Sequence, residues 1–240
     1  MVSNLPRCAL IAVTSAEAPL HEGNPTGMFI GEALHPFNVF RKAGFEVDLA
    51  SETGKYSVDW LSEQPAFLNG SAVSQWNDLH SEFREKLDHM PKAEELDSSK
   101  YGLFFASAGH AALIDYPHAK GLQKIATDVW NKGGIVSSVC HGPAIFGSVM
   151  DTATGKSIIN GKTITGFTTE GEYVMKLMDQ LKAWGEPLVE ELAEQLGAKY
   201  ARPPGVWDSF HVTDGRLVTG TNPASATETA EAAVEAFNKL

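Results

Sequence analysis

The sequence predicts an α/β domain whose mostly parallel sheet is covered by helices on both faces. Short apolar segments rich in β-branched residues alternate with longer segments of helical periodicity along most of the 240 residues. Repeated strand–helix units of this kind build parallel sheets, because each helix carries the chain back across a face of the sheet. A chain of this length can bury a large core without disulfides or metals, so residues 1–240 are interpreted as one domain.

The first hundred residues contain two strands, a helix and a long insertion. The apolar run that includes Cys8 is the first strand, residues 27–42 have an apolar helical face, and residues 45–50 form the second strand. Residues 51–100 contain no clear strand pattern, although an acidic, partly amphipathic helix is expected over 74–90. We interpret 51–100 as a cap or insertion beside the sheet.

The middle of the chain returns to the strand–helix alternation. Residues 101–107 form a buried strand, 117–131 a helix that ends at a pair of glycines, and Ile135–Val139 the next strand. Strand character resumes over 157–165, and 169–196 are expected to form two helices broken near residue 185.

The end of the chain begins with a hairpin. The turn at Thr213-Asp214-Gly215 joins strands over 206–212 and 216–219. Asn222 followed by proline then starts the last helix, and this asparagine is interpreted as its cap.

Cys140 lies between a strand and a helix start. It follows Ile135–Val139, and Gly142-Pro143 begins the next helical segment. This is the geometry of a nucleophile elbow, with cysteine in place of serine. A helix N-terminus favours the thiolate, which is the nucleophilic form. A buried structural thiol is the alternative, and the neighbouring His141 is a candidate base whose direction the sequence does not give.

Composition and charge exclude several classes of protein. The chain carries 19 basic and 30 acidic residues, a formal charge of −11, which argues against nucleic acids and anionic membranes as partners. The two cysteines do not suggest a disulfide framework, and Cys8 is interpreted as a core thiol. We see no signal peptide and no window of membrane-spanning length, so a cytoplasmic protein is expected.

No cofactor or metal is expected from the motifs. The first strand is not followed by Gly-x-Gly-x-x-Gly, so a dinucleotide site is not predicted. The eight histidines show no paired metal-ligand spacing.

The chain resembles the PfpI superfamily, which is related to class I glutamine amidotransferases and includes the parkinsonism-associated deglycase. Within it, the chain is most similar to the fungal glutathione-independent glyoxalases (glyoxalase III), also described as heat-shock chaperones. The runs that carry the resemblance cover nearly the whole chain. They are Gly-Met-Phe-Ile-Gly-Glu-Ala-Leu-His-Pro-Phe at 27–37, Gly-Phe-Glu-Val-Asp at 44–48 with Ser-Glu-Thr-Gly-Lys at 51–55, Phe-Phe-Ala-Ser-Ala-Gly-His at 104–110, Val-Cys-His-Gly-Pro-Ala at 139–144, Thr-Gly-Phe-Thr-Thr-Glu-Gly-Glu at 165–172, and Asp-Gly-Arg-Leu-Val-Thr-Gly-Thr-Asn-Pro-Ala-Ser at 214–225.

The resemblance implies a flavodoxin-like fold of the class I glutamine amidotransferase type and a set of site residues. It implies a catalytic set of Cys140, His141 and Glu172, with Glu32 as a second acid near the sulfur. It also implies that Gly109 and His110 line the pocket and that their backbone N–H groups face an oxyanion.

Each of these assignments has an ordinary structural alternative. Glu32 can be a solvated charge on its helix, His110 a loop residue, and Glu172 a favourable charge in a first helical turn. Glu170 lies two residues from Glu172 and would point elsewhere on a helix, so only one of them can serve. The family's Gly-Glu spacing selects Glu172.

The activity that the resemblance implies is that of a D-lactate dehydratase, a lyase. It would convert methylglyoxal and water to D-lactate, and glyoxal to glycolate, through a hemithioacetal on Cys140. The alternatives are a stress-responsive holding chaperone, or a deglycase or cysteine peptidase that uses the same thiol. The expected partners are a small 2-oxoaldehyde, unfolded client proteins and a second copy in a homodimer, in the cytoplasm or the nucleus.

Overall fold

The computed structural model describes residues 5–240, and its centre is a six-stranded sheet. In spatial order its strands are β11 (His211–Asp214), β12 (Leu217–Gly220), β6 (Ile135–Val139), β5 (Leu103–Ala106), β1 (Cys8–Val13) and β4 (Glu46–Ser51). The strands of the described chain, numbered along the sequence, have the following bounds. They are β1 Cys8–Val13, β2 Ala18–His21, β3 Asn24–Thr26, β4 Glu46–Ser51, β5 Leu103–Ala106, β6 Ile135–Val139, β7 Met150–Asp151, β8 Lys156–Ser157, β9 Thr163–Ile164, β10 Lys199–Tyr200, β11 His211–Asp214 and β12 Leu217–Gly220.

Helices flank this sheet. The α-helices are α1 Ile30–Lys42, α2 Gly70–Asn77, α3 Glu82–Asp88, α4 Ala112–Asp115, α5 Lys120–Asn131, α6 Thr169–Met175, α7 Met178–Ala183, α8 Val189–Gln195 and α9 Ala226–Asn238. Shorter 3-10 helices lie at Trp60–Glu63, Ala93–Glu95, Ser98–Lys100, Tyr116–His118, Gly142–Ser148 and Pro223–Ser225. Helices α1 and α9 pack against each other and against the sheet, and α5 packs on β5 and β6.

The predicted α/β class is confirmed. Strands β12, β6, β5, β1 and β4 run parallel, and only the edge strand β11 is antiparallel, in a hairpin with β12. The parallel register brings the carboxyl ends of the central strands to one edge, where Ala12 pairs with Ala106 and Gly220 with Val139. Strands β1, β5, β6 and β12 are buried along their whole length, as expected for a sheet covered on both faces.

Three of the sequence-based helix predictions need correction. The first helix begins at Ile30 and not at residue 27, because residues 28 and 29 are extended and donate backbone bonds to Ser57 and Ala108. The helix expected over 74–90 is two helices, because Ser81 caps a new helix that starts at Glu82 and accepts a hydrogen bond from the N–H of Arg84. The segment after Cys140 is a 3-10 helix and not an α-helix.

Two further differences lie in the second half. Residues 157–165 do not form the single strand that was expected. The two ends of this segment lie in two separate strands, β8 and β9, which belong to two small sheets outside the main sheet. The region 169–196 contains three helices and not two, because Lys176 adopts the left-handed conformation and ends α6. The hairpin of β2 and β3 was not predicted from the sequence.

Within residues 5–240, no helix combines the length and apolar character needed to cross a bilayer.

Candidate active site

Cys140 lies on a strained turn at the carboxyl end of β6. Its φ is +58°, a left-handed value that non-glycine residues seldom adopt. Its backbone is held on both sides, because its N–H donates to Gly220 and its carbonyl accepts from Phe167. The tight turn also requires Gly142, where a Cβ would lie 2.5 Å from the carbonyl oxygen of Ala106. The surrounding backbone therefore fixes the strained conformation and the place of the sulfur.

His141 is directed back toward the thiol of its neighbour. Its Nδ1 lies 3.2 Å from Sγ of Cys140, and its Nε2 lies 2.7 Å from Oε1 of Glu172. The carboxylate accepts a hydrogen bond from Nε2–H, which leaves the lone pair of Nδ1 facing the sulfur. Thiol, imidazole and carboxylate are thus aligned as nucleophile, base and orienting group.

Glu172 contacts two histidines at once. It lies in the first turn of α6, which Thr168 caps, and its second oxygen, Oε2, lies 3.0 Å from Nε2 of His110. Burial alone would raise the pKa of this carboxyl, but the two imidazoles lower it to about 2. The residue is therefore a carboxylate throughout the physiological range. Glu170, the alternative acid, is exposed.

The pKa values of the two histidines are shifted in opposite directions. Burial lowers the pKa of both, but the Glu172 carboxylate outweighs this effect at His110, whose pKa is raised. At His141 burial prevails together with repulsion from His110, and its pKa is lowered. The ring centroids are 4.3 Å apart, so a charge on one ring disfavours a charge on the other. His141 is neutral at rest, which suits a base.

Glu32 reaches the sulfur from the first turn of α1. Its side chain is completely buried, and Oε2 accepts a hydrogen bond of 3.1 Å from the N–H of Ala108. The other oxygen, Oε1, has no hydrogen-bond partner among the described residues, and the carboxyl lies close enough to Cys140 to act on its thiol. Burial raises the pKa of Glu32 to about 8. Near pH 7 the carboxyl is mostly protonated, and the proton belongs on Oε1, since Oε2 already accepts a bond.

The expectation of a resting thiolate at Cys140 is wrong. Burial raises the pKa of the thiol well above its ordinary value, and a charge on Glu32 would raise it further. The backbone N–H of His141 favours the thiolate, but the following 3-10 turn does not outweigh the loss of solvent. The thiol therefore needs a base at the moment of reaction.

Gly109 and His110 lie beside the thiol on the loop after β5. A Cβ at residue 109, where φ is +141°, would lie 2.0 Å from the carbonyl oxygen of Gly27, so only glycine fits. Among the described residues, neither backbone N–H donates a hydrogen bond to a protein acceptor. Both residues line the small cavity that contains Cys140.

This cavity measures about 20 Å³, and most of its lining was not identified from the sequence. Leu61 and Phe67 come from the 51–100 segment, and Phe167, Met175 and Trp207 from the second half of the chain. Apolar side chains of this kind carry no chemical signal in a sequence. A larger cavity of about 420 Å³ lies beside it and shares Phe29, Phe67, Trp207 and Pro223 as walls.

Two groups of side chains in the described chain have donor atoms close enough to hold a metal ion. They are His21–Asp59–His110 and His110–His141–Glu172, with all donor atoms of a group within 4.8 Å of one another. The histidines come from distant parts of the sequence, which is why spacing did not reveal them. In the second group the members are already bonded to one another.

Comparison with known proteins gives one family. The sequence profile of the DJ-1/PfpI family matches residues 27–236. Glyoxalase 3 of Candida albicans is 51% identical over 95% of this chain and 97% of its own. The glutathione-independent glyoxalase HSP31 of Saccharomyces cerevisiae is 48% identical over 97% of this chain and 98% of its own.

Comparison with solved structures indicates the same family as the sequence comparison. The crystal structure of glyoxalase III from Candida albicans superposes with a TM-score of 0.93, at 50% identity, over 95% of this chain and 96% of that chain.

Proposed function

The chain belongs to the DJ-1/PfpI family, and from this premise we propose that it is a glutathione-independent glyoxalase that converts methylglyoxal and water to D-lactate. The observation that carries the proposal is the alignment of Cys140, His141 and Glu172 beside a very small cavity. Relatives named as glyoxalases cover nearly the whole chain, which supports the same activity here.

The size of the cavity supports a small substrate and argues against a glutathione adduct. About 20 Å³ holds little more than one water molecule. A two- or three-carbon aldehyde needs only small movements of the apolar walls to enter, whereas a tripeptide conjugate would have to displace them. The sulfur of Cys140 takes the place that the glutathione thiol has in other routes.

The first step forms a hemithioacetal. Sγ of Cys140 attacks the aldehyde carbon while its proton passes to Nδ1 of His141, and Glu172 stabilises the resulting imidazolium. The backbone N–H groups of Gly109 and His110 donate hydrogen bonds to the aldehyde oxygen and stabilise the negative charge that develops on it.

Glu32 makes this step possible despite the high pKa of the thiol. Its protonated carboxyl faces the sulfur and donates to it as the negative charge forms. A neutral acid can occupy a fully buried position without a counter-ion, whereas a carboxylate there would repel the thiolate.

The remaining steps are an internal redox exchange and a hydrolysis. Loss of the hydrogen at the first carbon as a proton gives an enediol, and protonation at the second carbon gives a lactoyl thioester. Water then adds to the thioester carbonyl, the carbon–sulfur bond breaks, and lactate leaves with the thiol restored. The sum is one methylglyoxal and one water converted to one lactic acid.

The cavity size also separates this proposal from a peptidase or a deglycase. A peptide backbone or a glycated side chain would have to fit beside Sγ in a cavity whose walls include Phe29, Phe67 and Trp207. The holding-chaperone activity and the homodimer implied by the resemblance stay predictions that do not depend on this cavity.

The test is turnover of methylglyoxal in buffer without glutathione, with D- and L-lactate measured by stereospecific assays. We expect D-lactate from the wild type, none from Cys140→Ala, and near-normal amounts from Cys8→Ala, since Cys8 lies at the amino end of β1, far from the carboxyl edge of the sheet. Failure of the wild type to form lactate, or undiminished turnover by Cys140→Ala, would contradict the proposal.

A further inference from the structure

Two cavities lie side by side near the reactive thiol and share part of their walls. The smaller, of about 20 Å³, contains Cys140, and the larger measures about 420 Å³. Four residues line both cavities, and we call them the partition: Phe29, Phe67, Trp207 and Pro223. A residue with atoms on both cavities stands between them, so the partition separates the thiol from the larger space.

Phe29 and Pro223 are fixed members of the partition. The backbone N–H of Phe29 donates a hydrogen bond of 2.7 Å to the carbonyl of Ala108, on the loop after β5, and Phe29 is only 5% exposed. Pro223 is the first residue of the 3-10 helix Pro223–Ser225, and the side chain of Asn222 caps that helix. A proline ring at a capped helix start has little conformational freedom.

Asn222 also holds the turn that carries Trp207. Its Nδ2 donates to the carbonyl of Val206 at 3.0 Å and to that of Asp208 at 2.9 Å, one on each side of the tryptophan. The indole packs on Phe167 with ring centroids 5.9 Å apart, although it is 48% exposed. The helix cap predicted from the sequence therefore also fixes the backbone of Trp207.

Phe67 is the member of the partition that the 51–100 segment contributes. Its backbone N–H donates to the carbonyl of Gln64 in a local turn, at 2.8 Å. Its half-buried ring packs edge to face on Phe29, with a centroid distance of 5.2 Å. Removing this ring opens the partition without removing a backbone contact of Cys140 or Trp207.

We propose that Phe67 is a specificity-determining residue that restricts the reaction to small 2-oxoaldehydes. A cavity of about 20 Å³ at Sγ has no room for a six-membered ring, so an aromatic substituent must extend into a neighbouring space. The larger cavity has the volume of an ordinary ligand site, and the ring of Phe67 stands between it and the thiol. This inference rests on the proposed glyoxalase reaction and names the residue that sets its substrate class.

The substitution Phe67→Ala removes a phenyl ring and leaves a space of the same shape. Phe29, Trp207 and Pro223 remain around that space, so it is apolar. Apolar cavities of this size stay dry and bind benzene. Phenylglyoxal has a phenyl group where methylglyoxal has a methyl group, so the variant offers it the space that the wild type lacks.

The first test compares two substrates in the same protein. kcat/KM is measured without glutathione for methylglyoxal and phenylglyoxal, in the wild type, Phe67→Ala and Phe67→Trp. The ratio of phenylglyoxal to methylglyoxal should rise by at least about 10-fold in Phe67→Ala, since even one methylene group in an apolar pocket changes specificity by roughly 10–200-fold. It should not rise in Phe67→Trp, which keeps the partition closed. An unchanged or lower ratio in Phe67→Ala overturns the proposal.

Leu68→Ala is the matched control. Leu68 is the next residue of the same loop and is also half-buried against the core, but it is not among the residues that line either cavity. Its truncation should leave the substrate ratio at the wild-type value. An equal rise in Leu68→Ala would mean that loosening of the loop admits the larger aldehyde, and this would overturn the proposal.

Alkylation of Cys140 tests the partition without turnover. Iodoacetamide and its N-phenyl derivative iodoacetanilide each form a carbon–sulfur bond with release of iodide and the thiol proton, and mass spectrometry gives both rates at Cys140. The rate ratio of iodoacetanilide to iodoacetamide should rise by about 10-fold in Phe67→Ala and stay unchanged in Leu68→Ala.

The two tests distinguish failure of this inference from failure of the proposed function. No rise in the alkylation ratio overturns the role of Phe67, whether or not the protein forms lactate. A rise in that ratio without lactate from the wild type refutes the proposed function alone. If Phe67→Ala does not fold, Phe67→Leu vacates part of the same space, and both ratios should change in the same direction by a smaller factor.

Discussion

Two buried glutamates lie near the reactive thiol, and near pH 7 one is mostly protonated whereas the other is ionised. Glu32 and Glu172 each lie in the first turn of a helix, and each is at most 2% exposed. Burial raises the pKa of Glu32 to about 8, whereas two imidazoles lower that of Glu172 to about 2 despite the same burial. Burial alone therefore does not determine the charge of a carboxyl: its partners do.

The difference gives the two acids different tasks. Glu172 has hydrogen-bond donors on both oxygens and stays negative, so it can orient and stabilise a protonated histidine. Glu32 has one backbone donor on one oxygen and a thiol near the other, so it keeps a proton that it can donate. Environments that separate two pKa values in this way mark acid and base roles.

The largest effect is expected when the charge of Glu172 is removed. Glu172→Gln keeps the shape of the side chain but loses the stabilisation of the imidazolium, so turnover should fall by roughly 10²–10⁴-fold. Lactate formation under saturating methylglyoxal measures it. Glu170→Gln, an exposed position on the same helix, is the matched control and should cost little. A loss at residue 170 with none at 172 would reverse the assignment of the acid.

Glu32→Gln should lower turnover by about 10–10²-fold and change the dependence of stability on pH. The folded pKa of about 8 exceeds the ordinary 4.5, so the folded protein holds a proton that the unfolded chain releases between these values. The associated stabilisation is complete below pH 4.5 and is lost as pH rises through 8.

Glutamine cannot ionise, so the variant should escape this loss. We expect equal unfolding free energies near pH 5 and a variant more stable by roughly 2–5 kcal/mol at pH 9. Denaturant titrations at the two pH values measure the difference. A stability difference that is the same at both pH values would show that Glu32 ionises in the folded protein as it does in the unfolded chain.

The smallest effect is expected in the oxidation of the two cysteines. Burial and the carboxylate of Asp48 raise the pKa of Cys8 to about 11. Cys140 also has a raised pKa, but His141 can take its proton and a cavity admits small reagents. Mild peroxide should oxidise Cys140 several-fold faster by mass spectrometry, and less selectively in Glu32→Gln. Equal rates in the wild type would argue against activation by the pocket.

The fold was largely predictable because its evidence is local. Apolar β-branched runs identify β1, β5 and β6, and the Asp214-Gly215 turn identifies the final hairpin. Predictions failed where long-range contacts decide the local structure. The extended residues before α1 are held by Ser57 and Ala108, and the left-handed Lys176 divides a region that reads as continuous helix.

The site divides in the same way. The strand–turn–helix pattern located Cys140 and made its neighbour His141 a candidate base, and the family resemblance supplied Glu172 and Glu32. Neither indicated Asp59, which has the appearance of an ordinary helix cap in the sequence and lies 51 residues before His110. Its closeness to His110 exists only because β2, β3 and the loop before Trp60–Glu63 pack against the loop after β5.

By itself the sequence determined the layered α/β architecture, the position of the nucleophile at a strand end, and the chemical types available around it. The tertiary structure alone decided which of these groups are charged. A pKa depends on the loss of solvent and on charges a few ångströms away, and both are properties of packing between distant segments. The protonated Glu32, the neutral His141 and the thiol that requires a base all arise at that level.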